Sequence, residues 1–275
     1  MDDRPTIRVL RHLARSGGTL ISRCLGCMDS VTLLSEVHPK NTTDINPYRQ
    51  AQRWFHLVSY PRYFWWKRVR KPCLNDLIRI CNHRATKRGS HLVLRDWSHI
   101  DYIGEPWVVP EYSSKLCEML ESDFRVIRYH TVRHPIDQWI SLKQLPVLNK
   151  LTLEHYLRGC VEFARDAQAA GYVRYEDFTR EPSTAMQTIC NRLEMPYDPA
   201  FSTEWSGYST ITGDTVKGLG RSVGESTIRV LKPRPVEPEL RDAFINSRDH
   251  QEACDLLGYP LVVGEPAPNK HQAIT

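Results

Sequence analysis

The chain has 275 residues, 41% hydrophobic and 25% charged, ordinary values for one large soluble α/β domain with no linker-like composition dividing it. Its formal net charge of +5 favours anionic ligands but is too small for a dedicated nucleic-acid binder, so nucleic acid is not an expected partner. No apolar run approaches the roughly 18 residues of a membrane helix, and Met1–Pro5 has neither the basic nor the apolar region of a secretory signal. The expectation is a cytoplasmic protein without stable membrane insertion, its oligomeric state left open.

Ile7 to Leu13 reads as a strand. It feeds Gly17 and Gly18 and then an apolar stripe, Leu20, Ile21, Cys24, Leu25 and Met28, at helical spacing. A strand, a glycine loop and a helix in that order turn backbone N–H groups and a helix N-terminus toward an anion. An ATP-binding loop would need Gly-x-x-x-x-Gly-Lys-Ser/Thr. Here Arg15 stands at the front of the loop and no Lys-Ser/Thr follows Gly18. The loop points to an anion other than a nucleoside triphosphate, the plain alternative being a tight turn. Eight cysteines are scattered without framework spacing, and Cys24-x-x-Cys27 has no second pair, so both cysteines are expected to pack a helix rather than bind metal.

Val31–Leu34 is a second strand running into Ser35, Glu36, Val37 and His38. Between roughly 40 and 90 the chain changes character: Arg53, Arg62, Lys67, Arg68, Arg70 and Lys71 mix with Trp54, Phe55, Tyr63, Phe64, Trp65 and Trp66. Three readings stay open there: a helical insert with a solvated basic face, a lid over the substrate, or a membrane-surface patch. His91–Leu94 is a third strand leading into Arg95, Asp96, Trp97, Ser98 and His99. Phe124–Val132 is a fourth, ending at Arg133, His134 and Pro135, where Pro135 and Asp137 suit the first turn of a helix. Gly171–Glu176 is a fifth. A further helix opens at Pro182 and stops before Met195-Pro196. Strands separated by helices predict a mostly parallel, doubly wound sheet covered on both faces, with ligands at the carboxyl ends of the strands. Residues 1–263 are expected to form this one unit and 264–275 a mobile tail.

In order, the loop at Arg15–Thr19, the pair Arg133 and Ser141, the strand end Tyr175-Glu176-Asp177, the segment Leu193–Asp198 and a basic glycine loop at 212–222 resemble the sulfotransferases that use 3′-phosphoadenosine 5′-phosphosulfate (PAPS). The resemblance spans roughly residues 6 to 234. It implies a P-loop-like fold and transfer of a sulfuryl group to a hydroxyl acceptor, whether carbohydrate, phenol, peptide tyrosine or lipid headgroup. It further implies that Arg15, Ser16, Gly17, Gly18, Thr19 and Leu20 cradle the 5′-phosphosulfate and that Arg133 with Ser141 holds the 3′-phosphate. The loop with Lys217, Gly218 and Arg221 would add to the cofactor site, through either Lys217 or Arg221, and no metal is needed. The sequence departs from the family pattern where Ala14 replaces proline, where Gly18 replaces threonine, and where Val216-Lys217-Gly218 only approximates Arg-Lys-Gly.

A hydroxyl acceptor needs a base. Glu36, at the position of the glutamate base in the protein-tyrosine branch, is the first choice. His99, or Asp96 beside it, is the second, near where the cytosolic small-molecule branch places a histidine. Plain alternatives are a salt-bridging loop carboxylate for Glu36 and a surface loop histidine for His99. Arg95 reads either as a substrate or sulfonate ligand or as a strand-end ion pair. Two rival functions share the fold: a P-loop nucleotide kinase, which the missing Lys-Ser/Thr opposes, and a noncatalytic nucleotide-binding protein.

Overall fold

Side chains alternate across a strand, and short apolar runs that use both faces belong in a sheet covered on both sides. The computed structural model describes residues 3–40, 45–213 and 227–262. Its strands are β1 (Thr6–His12), β2 (Val31–Val37), β3 (His91–Asp96), β4 (Arg125–Val132) and β5 (Tyr172–Arg174). They form one sheet in the order β2-β3-β1-β4-β5, and the pairings among these described residues are all parallel.

Parallel neighbours cannot be joined by a hairpin, so the chain must cross over between them. Helix α1 (Gly18–Gly26) makes the first crossover, and α2 (Pro47–Arg53), α3 (Tyr60–Arg68) and α4 (Leu74–Lys87) lie between β2 and β3. Next come α5 (Ser98–Tyr102) and α6 (Lys115–Leu120) before β4, then α7 (Pro135–Leu142) and α8 (Leu153–Ala170) before β5. After β5 the chain forms α9 (Tyr175–Arg180), α10 (Pro182–Arg192), α11 (Phe201–Glu204), α12 (Pro238–Ile245) and α13 (Arg248–Leu257).

The alternation sorts the core. Leu10, Leu33, Val93 and Val173 pack against Ile21 and Leu25 of α1 and Met186 and Ile189 of α10. Ile7, Val9, Leu34, Leu92 and Leu94 face the other way, onto Ala51 of α2 and Leu77, Ile78 and Cys81 of α4. A third cluster gathers α7, α8 and α13 around Trp139, Tyr156, Phe163 and Cys254. Cys24 lies in the core, and the Cys27 thiol donates to the Cys24 carbonyl oxygen, a packing arrangement.

The same alternation separates two neighbours at the end of β3. Arg95 falls on the α1 face, where its Nε donates to His12 Nε2 at 2.6 Å. Asp96 falls on the opposite face, buried against Arg11 Nε at 3.0 Å, and Arg11 also pairs with Asp166 of α8. Lys217, Gly218, Arg221 and the segment 264–275 lie outside the described residues. Among the described residues no helix is long and apolar enough to cross a membrane.

A candidate anion cleft beside a strand-end carboxylate

The loop after β1 is shaped by where its carbonyls go. The Ser16 amide and hydroxyl both donate to Leu13 O, Gln138 Nε2 donates to Ala14 O at 2.7 Å, and Arg133 donates to Arg15 O at 3.3 Å. With three successive carbonyls engaged, the loop can turn its amides elsewhere. Arg15 sits in the left-handed region at φ 66° and Gly17 at φ 86°, and Gly17 caps α1. Gly17 is required for a second reason: a Cβ there would lie 2.1 Å from the Tyr175 ring. A left-handed non-glycine residue such as Arg15 costs of order 1–3 kcal/mol and persists only where surroundings hold it. Here the hold is Arg133 on its carbonyl and a 2.9 Å bond from Arg15 Nε to Ser141 Oγ.

Arg133 and Ser141 come from the turn and helix after β4. Pro135 at the first turn of α7 and the His134 side chain accepting from the Ile136 amide start that helix immediately after the strand. Ser141 is thereby carried two turns along α7, back against the loop. The Arg133 guanidinium lies over the Tyr175 ring, 5.0 Å from its centroid. Between these groups is a cavity of about 230 Å³ lined by Arg15, Gly17, Thr19, Arg133, Ser141, Tyr175 and Trp205, and walled by residues 227–232 and Arg234. Arg15, Arg133, Arg229, Lys232 and Arg234 are among its lining residues, and no carboxylate is, among the described residues. Arg133 Nε and Trp205 Nε1 are buried donors without a protein hydrogen-bond partner. A cleft lined this way fits a polyanion.

A carboxylate stands beside that cleft. The β2–β3 register shifts between Leu34 and Val37, and Glu36 takes φ 52° in this irregularity. A bulge at a strand end re-aims a side chain, often next to an active site. Gln50 of α2 clamps it, accepting from the Ser35 amide and donating to the Ser35 carbonyl, both at 2.7 Å. The re-aimed Glu36 Oε1 lies 3.8 Å from Arg95 Nη2, and the same nitrogen donates to Thr19 Oγ1 at 3.1 Å. Arg95 Nη1 reaches Ser35 Oγ and Thr212 O. Burial and Arg95 push the His12 pKa well down, so its neutral ring accepts from Arg95 at Nε2 and donates from Nδ1 to Leu13 O.

The sequence matches no family model and no curated protein. The fold does have solved counterparts. A sulfotransferase domain from the curacin biosynthetic pathway superposes with a TM-score of 0.63 at 17% identity, over 94% of this chain and 99% of that one. The sulfotransferase domain of the Synechococcus PCC 7002 olefin synthase gives 0.60 at 18% identity, over 95% and 98%. The chain has the sulfotransferase fold.

Within the sulfotransferase fold, the structure brings Arg15, Gly17, Thr19, Leu20, Arg133 and Ser141 to one cleft, with Glu36 joined to it through Arg95 and Thr19. Ser16 is buried and spends its hydroxyl on Leu13 O, so its side chain serves the loop itself. Asp96 is bound into the opposite face with Arg11 and Ser98, and burial raises its pKa. His99 is buried in α5, edge-on to Trp107 with ring centroids 6.2 Å apart, rather than on an exposed loop. Burial lowers the His99 pKa to about 4. Tyr175 belongs to a motif named from the sequence but its place over the cleft is a finding of the structure, and Trp205, Arg229, Lys232 and Arg234 are cleft residues that the sequence motifs do not include. The cation-rich run from Arg229 to Arg234 was the available signal. Gln50 has no such signal, because a polar residue in a helix is commonplace, whereas Thr212 opens the glycine loop named from the sequence. Among the described residues no group of three or more His, Cys, Asp or Glu side chains is placed to hold a metal ion.

Proposed function

We propose that this protein is a PAPS-dependent sulfotransferase acting on a hydroxyl acceptor. The observation that carries the reading is the cleft that gathers Arg15, Thr19, Arg133 and Ser141 with, among the described residues, five cations and no carboxylate in its lining, and with Glu36 linked to it through Arg95. Its buried unpartnered donors on Arg133 and Trp205 fit an anionic nucleotide. In this reading the amides at the N-terminus of α1 and the Arg15 side chain hold the 5′ end. Arg133 and Ser141 hold the 3′-phosphate, and Tyr175 and Trp205 supply apolar surface for the base.

When bound, PAPS supplies an activated sulfuryl group that passes to the acceptor oxygen and leaves 3′-phosphoadenosine 5′-phosphate. The residues of this chain position and neutralise, as in phosphoryl transfer. Arg15 balances negative charge at the phosphosulfate with a guanidinium that stays protonated. Glu36 accepts the acceptor hydroxyl's proton. Arg95 keeps the Glu36 carboxylate next to the loop and braces Thr19 from below.

The decisive experiment is calorimetry with 3′-phosphoadenosine 5′-phosphate, ADP and ATP, followed by an acceptor screen with radiolabelled PAPS. Preference for the 3′-phosphorylated nucleotide supports the reading, and equal affinity for ATP defeats it. Tight binding with no transfer to any hydroxyl class would identify a noncatalytic nucleotide-binding protein on the same fold.

A further inference from the structure

Helix α3 wears its apolar residues on the outside. Trp66 is the residue of α3 that is buried, while Tyr60 is 65% exposed, Phe64 42%, Trp65 54% and the capping Val69 65%. Large apolar side chains clustered in water mark an interaction surface. The cluster is ordered: Tyr60 and Phe64 stack with centroids 6.2 Å apart, and the Arg68 guanidinium lies 4.1 Å over Phe64. The helix is also anchored, since Trp66 meets Tyr48 of α2 edge-on at 6.4 Å and the Tyr48 hydroxyl donates to Pro72 O.

The charge around this cluster is mostly positive, the carboxylate that shares a pocket with Arg62 and Trp65 being Asp76, which pairs with Arg79. From Ile45 to Asn75 the sequence has no Asp or Glu, but it has Arg49, Arg53, Arg62, Lys67, Arg68, Arg70 and Lys71, all exposed. Those seven cations exceed the net charge of +5 on the whole chain, so the remainder is net negative. No salt bridge among the described residues engages any of the seven. Three of them lie over aromatic faces, Lys67 over Tyr63, Arg68 over Phe64 and Lys71 over Tyr48.

We propose that α3 and the basic residues around it dock this protein on an anionic lipid surface. Tyr60, Phe64, Trp65 and Val69 enter the boundary between headgroups and acyl chains, and the cations meet the lipid phosphates and carboxylates. The mixture selects this partner. Aromatic rings and long basic side chains are both at home in that boundary. A nucleic acid or other soluble polyanion would engage the cations and leave Val69 and Trp65 in water. The docking is independent of the cosubstrate reading. It does bear on the cleft's surroundings, because Gln50 of the same insert clamps Ser35 next to Glu36.

The test is co-sedimentation of the full chain with vesicles of phosphatidylcholine alone or with one-third phosphatidylserine. Binding is expected to the anionic vesicles and to fall steeply with salt. Lys67→Glu with Arg68→Glu should lower the partition coefficient by at least about 25-fold, about fivefold for each cation lost. Phe64→Ser with Trp65→Ser should lower it about tenfold or more at any salt concentration. Trp65→Phe should still bind but lose part of the quenching that brominated acyl chains impose on wild-type emission. All these side chains are exposed and outside the cleft, so circular dichroism and nucleotide affinity should be unchanged. No binding to either vesicle, or serine variants that sediment like wild type, would overturn the proposal. So would equal binding to heparin without quenching by brominated chains, which marks a general polyanion site.

Discussion

Arg95 places one guanidinium nitrogen 3.1 Å from the Thr19 hydroxyl and 3.8 Å from the Glu36 carboxylate. One buried cation thus ties the anion loop to the candidate base, and the approach of Gly213, whose added Cβ would sit 3.2 Å from Glu36 Oε1, closes the third side. Glu36→Gln keeps size and most hydrogen bonding but removes the proton acceptor. It should lower kcat by about 10²–10⁴. Affinity for 3′-phosphoadenosine 5′-phosphate should change little, because Glu36 does not line the cation-rich cleft. Steady-state turnover of radiolabelled PAPS beside calorimetry separates the two, and a full-rate variant removes Glu36 as base.

Arg133 acts twice, as a lining cation and as the donor that holds the Arg15 carbonyl. A charge-assisted contact is worth about 1.5–3 kcal/mol, so Arg133→Ala should weaken binding of the 3′-phosphorylated nucleotide by about one to two decades. ADP, lacking the 3′-phosphate, should lose less. Equal losses for both nucleotides would assign Arg133 to the loop alone.

Gly17→Ala meets two obstacles, a left-handed φ of 86° and the Tyr175 ring 2.1 Å from the new Cβ. Backbone strain alone costs about 1–3 kcal/mol. The variant should lose nucleotide binding and some thermal stability together. Tyr175→Gly in the same chain removes the ring but leaves the φ, so it should restore part of the stability and little of the binding. Differential scanning fluorimetry with and without nucleotide reads both.

Asp96 belongs to a buried ion pair rather than to the cleft. Breaking such a pair from one side typically costs about 3–5 kcal/mol, and the cost here should lie at or below the low end, because Arg11 keeps Asp166 as a second carboxylate partner. Asp96→Asn should therefore lower stability in urea while leaving kcat per folded molecule near wild type. A folded, stable variant with abolished turnover would return Asp96 to the chemistry.

Acid should destabilise the protein before its carboxylates titrate. Burial lowers the His99 pKa to about 4, whereas an unfolded histidine takes a proton near 6.5. Between these values the unfolded chain binds more protons than the folded one. Stability is complete above pH 6.5, falls as the pH falls through that window, and levels off below about 4. The loss assigned to His99 is on the order of 3 kcal/mol. His99→Gln should flatten the slope by that amount in urea titrations at pH 7 and pH 4.5. His134, also lowered to about 4 by burial, would keep the slope from vanishing.

The sequence by itself determined the alternation of strands and helices, the glycine loop after β1 and the helix that starts at Pro135. These depend on periodicity, on glycine's tolerance of positive φ and on proline's fixed φ, which act over a few residues. The separation of Arg95 from Asp96 follows from strand alternation too, but which face was which depended on where α1 packs. Tertiary structure alone decided that Glu36 leaves the strand pattern at φ 52°, since Gln50, 14 residues further along, clamps the bulge at Ser35. It also decided that Tyr175 roofs Gly17 and that residues 227–232 and Arg234 wall the cleft. Contacts between segments so far apart are set by how helices pack on a sheet, and no local pattern of residues encodes them.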